Sequence, residues 1–119
     1  MKAKFISKGS KKIINEDWGT LQWLACGKDG DSESMTVGKV TFKPGRSNPY
    51  HSHPNCEEIL YMVSGEIEHI ISEGETVKMS PGDTIVIPQG LKHCAKNIGG
   101  GEASALISFN NADRQTVGE

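Results

Sequence analysis

The chain has 119 residues, one domain's worth, and a domain of this size can bury a real core. Charged residues make up 24% and the formal net charge is −2. That balance excludes a basic nucleic-acid surface and an acidic solvated arm, and the lone lysine cluster, Lys8, Lys11 and Lys12 around Gly9-Ser10, reads as a solvated turn.

Along the chain, no apolar stretch follows Lys2 and Lys4 as a secretory leader requires. No apolar run reaches the length of a membrane span. The best helical period, from Ile13-Ile14 to Leu24, is interrupted by Trp18-Gly19-Thr20. β-rich runs follow at 20–26, 35–43, 59–63, 67–71, 84–87 and 103–109. Lys43-Pro44-Gly45 ends the second run, because Pro fixes φ and Gly accepts positive φ. Ser64-Gly65-Glu66 is expected to join 59–63 to 67–71 as a hairpin. Glu73-Gly74 and Ser80-Pro81-Gly82-Asp83 make further turns, and Gly99-Gly100-Gly101 links to the last strand. The polar tail, 110–119, is expected to fray. Short strands between turn signals predict an all-β sandwich or barrel forming a single domain over 1–119.

Two features bear on assembly and compartment. Leu60 and Met62 share one strand face while Ile59, Tyr61 and Val63 share the other. Both faces are apolar, so both are expected to be covered, either by the rest of the barrel or by a second subunit, and a homodimer is expected. Cys26, Cys56 and Cys94 form an odd set with no C-x-x-C, so free thiols in the cytoplasm are expected. Cys56 and Cys94 read as small buried hydrophobes. Trp18 and Trp23 read as packing residues.

The chemistry concentrates at residues 44–65 and 88–93. His51 and His53 stand two apart, which on an extended strand aims both rings to one side. Pro54-Asn55 turns the chain, and a returning antiparallel strand is expected to bring Glu57 or Glu58 back beside them. His93 supplies a third imidazole. Three neutral imidazoles and a carboxylate suit one divalent transition metal: iron, manganese, nickel, cobalt or zinc. A closed structural zinc site would more often use cysteine.

In these stretches the sequence resembles the cupins. Gly45, His51, His53, Glu58 and Gly65 match every fixed position of that family's first motif. Gly82, Pro88, Gly90, His93 and Asn97 match every position of its second. Sixteen residues separate the motifs, near the short end for the family. The resemblance implies a double-stranded β-helix, a jelly-roll barrel of six to eight strands. It implies metal ligation by His51, His53, Glu58 and His93, the spacing to Gly65 choosing Glu58 over Glu57. It implies a structural part for Asn97, and turn-forming parts for Gly65, Gly82 and Gly90. His69, on a face with Ile67 and Ile71, reads as a core or interface residue. Arg46, in the loop leading to His51, is a candidate for a substrate carboxylate at the barrel mouth. Tyr61 and Tyr50 are candidates for lining a pocket.

Fold alone leaves the reaction open. The expected function is a metal-dependent enzyme acting on a small oxygen-rich or aromatic molecule, through dioxygenase, isomerase, lyase or decarboxylase chemistry. The alternative is a non-catalytic module that binds carbohydrate or another small ligand. Neither nucleic acid nor membrane is expected as a partner.

Overall fold

The computed structural model describes residues 1–118. Eleven strands run in chain order: β1 (Ile13–Asn15), β2 (Gly19–Ala25), β3 (Thr36–Phe42), β4 (His51–Ser52), β5 (Glu58–Ser64), β6 (Ile67–Ile71), β7 (Glu75–Met79), β8 (Thr84–Ile87), β9 (His93–Asn97), β10 (Ala103–Phe109) and β11 (Val117–Gly118). They form two antiparallel sheets, β1-β2-β3-β10-β5-β8 and β11-β4-β9-β6-β7. From β3 to β6 the chain alternates between the sheets at every connection, as a jelly-roll barrel requires.

Alternation explains which residues face inward. In β10, Ala103, Ala105, Ile107 and Phe109 are buried while Leu106 is exposed. In β5, Leu60 and Met62 are buried between the sheets and Tyr61 and Val63 face out. Ala103 and Ala105, with no exposed surface, let the second sheet approach closely, and Met62, Ile67 and Phe42 fill the space. Each such large side chain contributes roughly 1.5–3 kcal/mol of apolar burial. No helix among the described residues is long and apolar enough to cross a membrane.

Three expectations change. Ser64-Gly65-Glu66 is not a hairpin turn, because β5 pairs with β10 and β8 while β6 pairs with β9 and β7. It is a corner where the chain leaves one sheet for the other. Gly65 takes φ 78°, and a Cβ there would meet the Cα of Ala103 at 2.6 Å, so the corner needs both its freedom and its lack of bulk. The strand count exceeds the six to eight expected, because β1, β4, β7, β9 and β11 carry weak β signals and form against stronger neighbours. The tail is docked rather than frayed as far as Gly118, residue 119 lying outside the described residues. Asn55 Nδ2 donates to Asp113 O at 2.7 Å, Gln115 N donates to Asn55 Oδ1 at 3.0 Å, and β11 pairs with β4. Polar composition signalled solvent, but those polar groups are spent on tertiary hydrogen bonds.

The outer face of the first sheet stays open within one chain. Tyr61 sits opposite Leu106, and Ile59 opposite Val86, all four exposed.

Candidate metal centre

The four residues converge from three strands and a loop. His51 lies on β4 and pairs across the sheet with His93 of β9. His53 follows β4 directly. Glu58 opens β5, which belongs to the opposite sheet. The acid therefore does not return on a strand beside the histidines, as expected, but faces them across the barrel. One ligand atom from each residue lies within 4.8 Å of every other. His51 is half-buried, and His53, Glu58 and His93 are buried.

Backbone carbonyls fix the imidazoles. His51 Nδ1 lies 2.6 Å from Pro49 O, His53 Nδ1 lies 3.0 Å from Gln115 O, and His93 Nδ1 lies 2.9 Å from Leu91 O. A carbonyl oxygen only accepts, so the network assigns the proton of each neutral ring to Nδ1. Each Nε2 is then left with a lone pair for a cation, the tautomer that metal-bound histidines adopt. Gly90 supports one of these contacts. At φ 82° it forms the turn in which Leu91 N donates to Pro88 O, and this aims Leu91 O at His93.

The interior of the cluster requires positive charge. Glu58 Oε1 lies 3.0 Å from His93 Nε2 and 3.2 Å from His53 Nε2. The second contact is close but not aligned as a hydrogen bond, and His53 Nε2 is buried without a partner. Two nitrogen lone pairs against one carboxylate oxygen repel each other unless a proton or a metal ion stands between them. The titration tendencies agree. Burial works to raise the Glu58 carboxyl, but His53 and His93 outweigh it and hold the group well below the usual carboxylate range. Burial works to lower His93, but Glu58 outweighs it and raises the imidazole. Burial takes His51 down to about 4, so it is neutral at pH 7. The donor set fits a divalent metal ion.

A cavity of about 350 Å³ opens from this cluster. Trp18, Val40, Phe42, Leu60 and Ile107 supply its apolar wall. The Phe109 ring lies 4.9 Å from that of His53 and makes the wall continuous with the cluster. His69 also lines the cavity. It is buried, its ring lies 5.8 Å from that of His93, and burial lowers it to about 4. The inward position expected from Ile67 and Ile71 is met, but sequence alone did not place His69 against a cavity.

Three candidates are not brought here. Arg46 is exposed and holds β9 through its backbone, Asn97 N donating to Arg46 O at 2.9 Å. Tyr61 points to the outer face of β5, and neither it nor Tyr50 lines the cavity. The basic residue that does line it is Arg114, from the tail expected to fray. No periodicity or spacing marked it. Asn97 is structural, with Nδ2 donating to Phe42 O at 2.9 Å and Gly101 O at 2.8 Å, and Oδ1 accepting from Gly99 N at 2.9 Å. Cys26, Asp29 and Asp31 form a second cluster of ligand type, but Lys11 already bonds both aspartates and Lys4 pairs with Asp31.

Fold and cluster together describe a jelly-roll barrel with a three-histidine, one-carboxylate centre. A family profile described as Cupin domain matches residues 38–109, and the chain belongs to that family. Its relatives include Germin-like protein 3-8 of Oryza sativa subsp. japonica, 33% identical over 81 residues, which span 65% of this chain and 36% of that protein. Oxalate oxidase GF-2.8 of Triticum aestivum is 36% identical over 84 residues, spanning 65% of this chain and 38% of that one. Among solved structures, the oxalate decarboxylase of Lactobacillus farciminis in its formate complex superposes with a TM-score of 0.84 at 25% identity, covering 91% of this chain and 33% of that one. That of Bacillus subtilis at pH 4.6 gives 0.82 at 26% identity, covering 90% and 29%. The chain spans about a third of the length of these proteins.

Proposed function

We propose that this barrel is a mononuclear metal enzyme acting on a small oxygen-rich molecule. The observation that carries this reading is the set of three Nδ1–H to carbonyl contacts, which turn three Nε2 lone pairs and the Glu58 carboxylate onto one point beside a cavity. His51, His53, Glu58 and His93 would hold the ion. A divalent ion there supplies a Lewis acid for a substrate bearing adjacent oxygens, such as a hydroxy-ketone, enediol or carboxylate. The apolar wall keeps water away, which strengthens every electrostatic contact inside. Tethering of the rings by main chain keeps the donors in place before any ligand arrives.

The relatives support the substrate range. The wheat protein is named an oxalate oxidase and the solved neighbours are oxalate decarboxylases, one studied for its Mn(II) centres. Manganese is accordingly the first metal to test, with iron, nickel, cobalt and zinc behind it. Free Cys26, Cys56 and Cys94 support a reducing, cytoplasmic setting. The open outer face of β5, β8 and β10 supports a homodimer.

Elemental analysis of untagged protein purified without chelator tests the reading. One equivalent of a divalent transition metal is expected in the wild type and not in His53→Ala. A wild-type protein that neither carries nor takes up such a metal would overturn it.

A further inference from the structure

Among the described residues Arg114 is a half-buried cation without an anion. It lines the same cavity as the four candidate ligands. Among the described residues it has no carboxylate partner, since the ion pairs are those of Lys4, Lys11, His53 and His93. Its Nη1 donates to Thr116 Oγ1, and its Nε is buried with no partner. The guanidinium lies over Trp23, with Cζ 4.4 Å from the ring centroid, and 5.1 Å from that of Phe109. Cation–π contacts of this kind fix the plane of the fork and partly offset its desolvation. They leave the in-plane N–H groups to be satisfied by something else. Leaving a buried N–H of a charged group unpaired is costly, so a fork held this way, with its Nε buried and lining a cavity, calls for a ligand.

The position of Arg114 constrains that ligand. Phe109 is the common neighbour, in contact with the guanidinium on one side and His53 on the other. A molecule lying along the Phe109 wall reaches both the fork and the metal centre. The charges that line the cavity are Glu58, an exposed Glu16 and Arg114. With neutral histidines and a divalent ion, one positive charge stays uncompensated. Most of the remaining wall is apolar, Asn48, His69 and Thr116 apart, and oxalate, having no apolar carbon, would leave it unused.

We infer that the substrate is an organic acid with an apolar or aromatic body, whose single carboxylate is gripped by Arg114 while its other oxygen-bearing end faces the metal centre. This rests on the metal-enzyme reading for the second end and for the count of one carboxylate, while the grip by Arg114 stands apart from it. A planar carboxylate fits a guanidinium fork in two parallel hydrogen bonds, which an amide of the same shape does not reproduce.

The test is calorimetric titration of the full-length, metal-loaded protein and of chelator-treated protein with benzoate and phenylacetate, each beside its neutral amide. Both acids are expected to bind more tightly than their amides, with or without metal. R114M is expected to bind the acids roughly ten- to a hundredfold more weakly, as loss of a charged hydrogen-bonding partner implies. Its amide affinity and metal content should stay as in the wild type. R114Q, which keeps the stem and a polar head, should show the same loss and stands in if R114M does not fold. Acid binding that is unchanged in the folded variant, that needs the metal, or that fails for both acids would overturn the inference. Arg114-dependent acid binding in a protein that takes up no metal would uphold the carboxylate grip and sink the metal-enzyme reading alone.

Discussion

Asn97 closes the second motif, and replacing it separates structural from chemical roles at the site. The side chain is almost fully buried and ties its strand to two segments: the end of β3 through Phe42 O, and the 99–101 glycine loop through Gly101 O and Gly99 N. Asn97→Ala removes three hydrogen bonds, each contributing about 1 kcal/mol net. It also leaves the Phe42 carbonyl with a lost partner in the interior, while Gly101 is exposed and can turn to water. The expected loss is on the order of 3 kcal/mol, a large share of the ~5–15 kcal/mol typical of a domain. Asn97→Asp keeps the volume and the acceptor for Gly99 N but sets a carboxylate oxygen against two carbonyls, so it should cost at least as much as Ala. Urea denaturation of chelator-treated protein gives both values, and elemental analysis of folded protein should still return one metal equivalent. A loss under about 1 kcal/mol for Ala, or an Asp variant as stable as the wild type, would refute the view that these hydrogen bonds rather than packing hold the corner.

Acid should weaken the metal-free fold through its buried neutral imidazoles. His69 moves from an ordinary value of 6.5 to about 4 on burial, so the unfolded chain binds more protons between those values. The stability is full above pH 6.5 and is lost as pH falls toward 4, by about 3 kcal/mol for His69. His51 acts in the same direction; His93, which is raised, acts in the opposite one. Urea midpoints of chelator-treated protein should fall across this window and fall less in His69→Gln; a flat profile would contradict the burial argument. Asn55→Ala should release the tail and with it the Gln115 carbonyl that orients His53, lowering metal affinity roughly 10- to 100-fold in competition with a chromophoric chelator. An unchanged affinity would mean the tail does not hold the ring. Sedimentation should show a dimer that Leu106→Lys dissociates, whereas a monomeric wild type would leave the apolar face of β5 and β10 without its proposed cover.

The parts of the barrel that could be read in advance share a physical cause. Strands β3, β5, β6 and β10 are rich in branched and aromatic residues, and burying those is what fixes them. The cluster of candidate ligands is legible because His51, His53, Glu58 and His93 sit at spacings punctuated by glycines that take positive φ. Strand β9 was not legible: His-Cys-Ala-Lys-Asn carries little β preference and is strand because β6 pairs with its full length. The route of Glu58 was missed for a related reason. Local sequence shows that a chain turns at Pro54-Asn55, but whether it returns beside its own strand or crosses to the other sheet depends on what β5 finds to pair with, and that is β10, some forty residues on.

The tail exposes a bias in reading function from patterns. Arg46 stands near the histidines in sequence, whereas the neighbours of Arg114, namely Asp113, Gln115 and Thr116, look like solvated chain. Each of those neighbours has a partner: Asp113 O accepts from Asn55, Gln115 O holds His53, and Thr116 Oγ1 accepts from Arg114 Nη1. A polar segment whose donors and acceptors are used up inside the fold is part of the fold. Here that accounting gives the tail two tasks at one place, since the residues that aim His53 at the metal centre flank the one that brings positive charge to the cavity. An anion drawn to Arg114 would therefore press on the same segment that orients His53, and would tie anion binding to the geometry of the candidate centre without any further element of structure.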